Sequence, residues 1–526
     1  MNRITQLASY FILGLCLPLA SISHADDTEI FYLGDTVTPK VMMILDTSGS
    51  MGFHVADKKN RITVMKDALT QFINEANGIN VGIMRSNQRT SAVVYPVSSL
   101  ETSIVERVER FDRPITDDRD NAYQTNDGVY VNTTTSGGGS ASTFNFKNSN
   151  YIGLRFSNVI IPQGHKVEEV FLQIFPDNSC SYWDPCNDFS LNIKGEKAAN
   201  SLAFDHTDNT NISDRPRTTA SVSTTLTTWE DTNRENPFNV VNLAPIIQEI
   251  VNQDDWKSGN AISLIIDTSS LNQSNHSHLG GIRNTLSLYF SSTLFFRVEP
   301  YDRTVSIRKK IIEEMNNQRL TNYTPSVPSL YEAVKYMTGA PVKSNHNTTL
   351  NTTRSGTGTG LNYNDLFERL SHPESYENGT LMKPANCHDG WLNDATCRNI
   401  SVSQNSGVTL RYKTPLTDTC GDNEGQIVML TDGDATHGSG AYNDNEWWRN
   451  MTYDISQMIN NTNNACSQHG DSNRGYPTTC GTNLATKIKN GILVNGIPET
   501  DPQKIKLYTI DFNNENTWLQ SMATDR

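Results

Sequence analysis

The sequence predicts an α/β fold of the doubly wound type, interrupted by a large all-β insert with a sandwich or jelly-roll pattern. Three observations predict it. A continuous apolar run, Val41–Leu45, enters an oxygen-rich loop and then a helix and a second apolar run, the opening order of a doubly wound sheet. From about Glu101 to Pro300 helical periodicity almost disappears, and short strand-like runs alternate with Asn/Asp/Gly/Ser turns. Beyond Pro300 helix and strand patterns resume, broken by a polar stretch of weak periodicity, Pro341–Pro415, that reads as long loops.

Taken in order, the chain begins with an export address. Arg3, the apolar stretch Leu7–Ala20 and Ser23-His24-Ala25 read as a secretory signal over residues 1–25, cleaved after Ala25. The apolar stretch is shorter than the roughly 20 residues a membrane span needs, and no later stretch is apolar enough to span a bilayer. Residues 38–100 then form the first part of the α/β domain. Thr38–Leu45 leads into the oxygen-rich loop, Arg61–Ala76 places Ile62, Met65, Leu69, Phe72 and Ile73 at helical spacing, and Asn80–Met84 and Ser91–Val97 are strands. Residues 101–300 form the insert, with strands at Ile152–Phe156, Val167–Phe175, Phe189–Ile193, Ala220–Thr228, Ala261–Ile266 and Leu288–Val298, and one helix at Leu243–Val251. An insertion of this size is tolerated in a surface loop because closure entropy grows slowly with length. Residues 301–526 resume the α/β domain. Helices are expected at Val305–Met315, Pro328–Met337, Tyr453–Ile459 and Leu484–Lys489, strands at Gln426–Leu430 and Ile505–Phe512, and a last helix starts at Trp518–Met522.

Composition narrows the function classes. The chain of 526 residues carries a net charge of -14, with 36% hydrophobic and 19% charged residues. It can bury cores, and it lacks the basic excess that phosphate binding requires, so no nucleic-acid partner is expected. Seven of the eight cysteines follow the signal. In an oxidising compartment Cys180–Cys186 and Cys387–Cys397 are the local disulfide candidates, and Cys480 can pair with Cys420 or Cys466, leaving one odd thiol. Close-spaced cysteine pairs with matching histidines, the mark of a zinc site, are missing.

The chemistry sits at strand ends. Asp46, Ser48 and Ser50 follow the first apolar strand, Thr324 stands at the mouth of a helix, and Asp432 follows the strand Gln426–Leu430. Carboxylate and hydroxyl oxygens at alternate positions suit a hard divalent cation, and the carboxyl ends of parallel strands are where open α/β sheets place ligands.

These segments together resemble the von Willebrand factor A-type fold, a Rossmann-like doubly wound domain, and its metal-ion-dependent adhesion site, DxSxS…T…D. The resemblance implies Asp46, Ser48, Ser50, Thr324 and Asp432 as ligands, with Thr321 the alternative threonine, because Asn322-Tyr323-Thr324-Pro325-Ser326 stands where the family often has Gly-Gly-Thr-Pro-Leu. It implies a divalent cation, Mg²⁺ first with Ca²⁺ or Mn²⁺ as alternatives, and an open coordination position for the Asp or Glu of a partner protein. VMMILDTSGSMG, VGIMR, VVYP, TPSVPSLYEAVKYMTG, a cysteine ahead of IVMLTDG and the final YTIDF are similar to the N-terminal region of PilC/PilY-type pilus tip adhesins. That family implies type IV pilus biogenesis, pilus subunits or host and matrix surface proteins as partners, and a place in the periplasm, outer-membrane surface or fimbrium of a Gram-negative bacterium. It also implies a C-terminal β-propeller. The chain stops before the closing strand and helix expected after Ala523, and it reads as truncated.

Binding rather than turnover is the expectation. No P-loop, HExxH or GxSxG occurs, and Asp434 and His437, the nearest general-base candidates for hydrolysis, read as solvated loop residues. In the insert, YIGLRFSNVIIPQG and DDWKSGNAISLIID are similar to carbohydrate-binding jelly rolls. Trp229 and Trp256 could stack on a sugar, with core filling as the plainer role.

Overall fold

The computed structural model describes residues 38–53, 55, 59–86, 91–131, 143–145, 149–174, 189–226, 238–268, 285–287, 292–318, 326–340, 412–416, 424–432, 475–489, 504–512 and 517–523, and all counts below refer to these. The first elements are β1 (Lys40–Asp46), α1 (Arg61–Glu75), β2 (Asn80–Ser86) and β3 (Ser91–Ser99). There follow β4 (Ser103–Pro114), β5 (Asn121–Thr125), β6 (Gly128–Val131), β7 (Thr143–Asn145), β8 (Tyr151–Phe156), β9 (Val167–Ile174), β10 (Phe189–Glu196), β11 (Arg217–Leu226), β12 (Phe238–Val240), α2 (Ala244–Val251), β13 (Ile262–Asp267), β14 (Thr285–Ser287) and β15 (Thr293–Ser306). The last elements are α3 (Ile307–Asn316), α4 (Ser326–Thr338), β16 (Glu424–Thr431), α5 (Gly475–Lys489), β17 (Lys504–Asp511) and α6 (Thr517–Met522).

One sheet runs in the order β17-β16-β1-β2-β3. β17, β16, β1 and β2 are parallel, and β3 lies antiparallel at the edge. Every residue of β1 is buried, and its side chains alternate between two layers. Met42 and Ile44 join Ile427, Met429 and Leu507 against α4, α5 and α6. Val41, Met43 and Leu45 join Val81, Ile83, Val428 and Leu430 against α1 and α3. A strand covered on both faces has no polar side, which is why its sequence is continuously apolar. Three helix starts differ from the sequence expectation by two residues or more, and α5 differs most, beginning at Gly475 rather than Leu484. Val305 belongs to β15, and α3 starts at Ile307 because the Ser306 hydroxyl caps it, accepting from Lys309 N at 3.2 Å. α4 starts at Ser326, so Pro328 falls in its first turn, where the missing N–H costs no helical bond.

The α1–α3 layer is pinned by a buried lysine. Lys66 Nζ donates to the carbonyls of Asn316 at 3.1 Å and Gln318 at 2.6 Å, closing the carboxyl end of α3. Burial pushes its pKa down to about 7, Asp117 pulls it partly back up, and Arg85 lowers it further. A free lysine titrates near 10.4, so between about pH 7 and 10 the unfolded chain binds more protons than the folded one. Folding stability gains with pH across that window. Chemical denaturation of wild type and Lys66→Met at pH 7 and pH 9.5 checks this. The expected result is a pH-dependent gain in wild type that Lys66→Met lacks, and equal slopes would overturn it.

Between β3 and α3 the strands belong to other sheets. A six-stranded sheet has the order β11-β10-β13-β8-β5-β6, a four-stranded sheet the order β12-β9-β15-β4, and β14 pairs with β7. All these pairings are antiparallel. Leu154, Phe156, Ile193, Leu264 and Ile266 from the first sheet share one core with Phe111, Val170, Leu172, Leu294 and Phe296 from the second, together with Ile246, Ile247 and Ile250 of α2. Trp256 lies in the same core, 2% exposed, and its Nε1 donates to Ile161 O at 2.8 Å. The sugar-stacking role considered for it is thereby corrected: the ring has no exposed face and fills the core. Trp229 lies outside the described residues.

β4 and β15 lead into and out of this part of the chain side by side. Thr293–Arg297 pairs with Arg110–Pro114 where β9 also pairs with β15. After an irregularity between Arg297 and Tyr301, Tyr301–Ser306 pairs with Ser103–Val108 alone, as a two-stranded ribbon. At its base Ile307 N donates to Thr102 O at 2.9 Å. The ribbon is clamped to α3 by charge. Arg303 bonds Glu106 across the ribbon and Glu313 of α3, and Lys310 of α3 bonds Glu106 at 2.9 Å and Glu314 at 2.9 Å.

Cys480 on α5 is disulfide-bonded. Its partner lies outside the described residues, as do the signal segment, Cys180–Cys186, Cys387–Cys397 and the helix expected at Tyr453–Ile459. No described helix is long and apolar enough to cross a membrane.

Candidate functional site

Strand order reverses at β1. β2 lies on one side and β16 on the other, which makes the carboxyl end of β1 a topological switch point, the place where open α/β sheets put ligands. Asp46 ends β1, and Asp432 follows β16 directly. Both are 1% exposed.

The loop after β1 folds back onto these carboxylates. Asp46 Oδ1 accepts from Ser48 N at 2.8 Å, and Oδ2 accepts from Thr431 Oγ1 at 2.6 Å. The Thr47 hydroxyl points the other way, donating to Ser86 O at 3.0 Å and accepting from Arg85 Nε at 3.1 Å, which ties the loop to β2. A 3-10 turn, Gly49–Gly52, then carries Ser50 towards β16. Ser50 Oγ donates to Asp432 Oδ1 at 2.8 Å and lies 3.0 Å from Ser48 Oγ. The other Asp432 oxygen, Oδ2, accepts from the Arg61 guanidinium at 2.6 Å.

Four of the five residues expected at the site are thus brought together across 382 residues of sequence between Ser50 and Asp432. The fifth, Thr324, lies outside the described residues with Thr321, as do Asp434 and His437. The helix Thr324 precedes is placed: Ser329 in the first turns of α4 donates to Ser86 Oγ at 2.9 Å, and Ser86 is the β2 register partner of Asp46. Sequence reading did not single out Thr431 or Arg61. Thr431 had a signal in its place beside Asp432, but a threonine in a strand is ordinary. Arg61 read only as the start of an amphipathic helix.

Two carboxylates this close repel. Burial pushes the Asp46 pKa up to about 6, with the charge of Asp432 adding to it, while the bonds from Thr431 and Ser48 oppose the rise. Among the described residues no cluster of three His, Cys, Asp or Glu side chains could hold a metal. The donor set here is different: two carboxylates and the hydroxyls of Ser48 and Ser50. Such oxygens fit a hard divalent cation, whose charge would relieve the Asp46–Asp432 repulsion.

Residues 41–125 match the von Willebrand factor type A domain family. The match supports a von Willebrand factor type A domain over those residues. This match and the mixed α/β architecture accord with the first part of the sequence resemblance. No match was found among curated proteins. Among solved structures, one similar chain is titled Desmodium yellow mottle tymovirus, with 11% identity over 42% of this chain and 97% of that chain. Its TM-score of 0.17 is too low to carry a structural argument.

Proposed function

We propose that this protein is a secreted adhesion protein of the PilC/PilY type, binding partner proteins through a metal-ion-dependent adhesion site and acting in type IV pilus biogenesis. The observation that carries the reading is the convergence of Asp46, Ser48, Ser50 and Asp432 at the switch point of a von Willebrand factor type A domain. Asp46, Ser48 and Ser50 would hold the ion, with Asp432 behind Ser50 and Thr324 completing the set from the mouth of α4. A divalent cation bound there, Mg²⁺ first with Ca²⁺ or Mn²⁺ as alternatives, supplies a positive position for a partner's Asp or Glu carboxylate. The serine hydroxyls keep lone pairs for an ion because Ser50 spends its proton on Asp432. Asp46 is held in place by Ser48 N–H and Thr431 O–H, so the site is preorganised on rigid strand ends. Binding rather than catalysis is the role these groups support. The two antiparallel sheets around one core are read as an inserted sandwich domain, exported with the rest of the chain to the periplasm, outer-membrane surface or fimbrium.

The test is attachment of the purified protein to isolated pili and to host matrix proteins, with Mg²⁺ and with EDTA. Attachment that EDTA removes and Mg²⁺ restores is expected, and attachment indifferent to EDTA would overturn the adhesion site. A second reading, a mechanical assembly module, draws on the charge-clamped ribbon between β4 and β15. It predicts that cells carrying Asp46→Ala lose pili while the variant protein attaches normally.

A further inference from the structure

We infer that Arg61 sets the charge of the candidate cation site: by neutralising Asp432 it weakens cation binding and leaves a bound ion more positive towards a partner carboxylate. This rests on the cation-binding reading above and assigns a positioning role to a residue outside the adhesion-site motif.

The geometry is specific. Asp432 is fully buried at its side chain, and Arg61 is 15% exposed at its own. Asp432 divides its oxygens, Oδ1 to Ser50 and Oδ2 to Arg61. The guanidinium therefore touches the carboxylate from the side away from the two serines. Arg61 is held there by the fold. Its N–H donates to Phe53 O at 3.0 Å, its guanidinium lies 5.6 Å from the Phe53 ring, and the Asn60 side chain caps the helix behind it by accepting from Thr63 N at 2.9 Å.

Helix stability does not explain a cation at this point. Arg61 is the first residue of α1, where the macrodipole favours an anion, and the first turn holds no acidic residue. What the position does supply is charge balance. With Arg61, the two carboxylates and the guanidinium carry one net negative charge, so a divalent ion leaves the centre with one net positive charge. Without it, the same ion would only cancel the two carboxylates. A hydroxyl-rich site with a paired aspartate therefore trades cation affinity for attraction to an incoming carboxylate.

The test separates charge from structure with Arg61→Gln, which keeps a donor for Asp432, and Arg61→Met, which keeps an unbranched stem of similar length without the charge. Mn²⁺ affinity is read from the electron paramagnetic resonance of the free ion. Acetate, as a carboxylate probe, is read from the loss of water-proton relaxation on the Mn²⁺ complex. Removing a unit charge beside a divalent ion is expected to tighten Mn²⁺ by about tenfold in both variants and to weaken acetate. Arg61→Lys is expected to stay within about twofold of wild type, since the charge is kept. Unchanged or weaker Mn²⁺ binding in Arg61→Gln, while Asp46→Ala abolishes binding, overturns the role of Arg61 and leaves the cation site standing. Equal Mn²⁺ binding in Asp46→Ala and wild type, or none in any variant, overturns the site itself.

Discussion

Asp46→Asn removes the response of this protein to divalent cations while leaving the metal-free fold intact. The amide oxygen keeps an acceptor for Ser48 N, its NH2 faces the Thr431 hydroxyl, which turns from donor to acceptor, and the neutral group ends the cost of burying a charge beside Asp432. Stability without cation is therefore unchanged or slightly higher. Cation affinity falls by on the order of a hundredfold or more, since a direct ligand is worth at least as much as the outer partners of a metal site. Thermal unfolding with and without Mg²⁺ measures both. A ligand at a hundred times its dissociation constant stabilises by about 2.7 kcal/mol, and this gain is expected in wild type and absent in Asp46→Asn. A variant that kept the Mg²⁺ gain would remove Asp46 from the site.

Arg303→Met is expected to be the most damaging change away from that site. Arg303 bridges Glu106 on the ribbon and Glu313 on α3, and the Glu313 side chain is only 6% exposed. Removing the shared cation strands a buried carboxylate, a loss of about 3 kcal/mol or more. Glu106 keeps Lys310 as a partner, so the damage concentrates on Glu313. Arg303→Met/Glu313→Gln should recover part of the loss, because the stranded charge is gone. Urea denaturation of the two variants decides the point. Equal stabilities in the single and double variants would mean that the clamp is not what Arg303 provides.

The parallel sheet was legible because each of its central strands is buried on both faces. Val41–Leu45, Asn80–Met84 and Gln426–Leu430 have no solvent side to encode, so their apolar runs stand out from a polar chain. Asp46, Ser48, Ser50 and Asp432 were legible because they sit immediately beyond such runs. β4 was not. Ser103–Pro114 mixes charged and apolar residues, and its Glu106 is satisfied by Arg303 and Lys310 some two hundred positions away, a pairing invisible in a local window. Arg61 was hidden for the same reason: nothing near it in sequence reports that Asp432 will be its partner. Trp256 was ambiguous because an aromatic ring serves a core or a sugar equally well, and only its position decides. Leu288–Val298 placed the last strand of the insert too early, since β15 continues to Ser306 through a polar stretch held by the ribbon.

The ribbon also bears on how the molecule would carry load. Its two strands leave one part of the chain together and enter the other together, so a pull between the two parts stretches both backbones along their length, as two ropes sharing one weight. The cross-strand hydrogen bonds from Ser103 to Val108 lie across the direction of pull and are not the links that bear it. They resist bending instead. A joint built this way carries tension along two backbones at once, so the load passes to the cores at its ends.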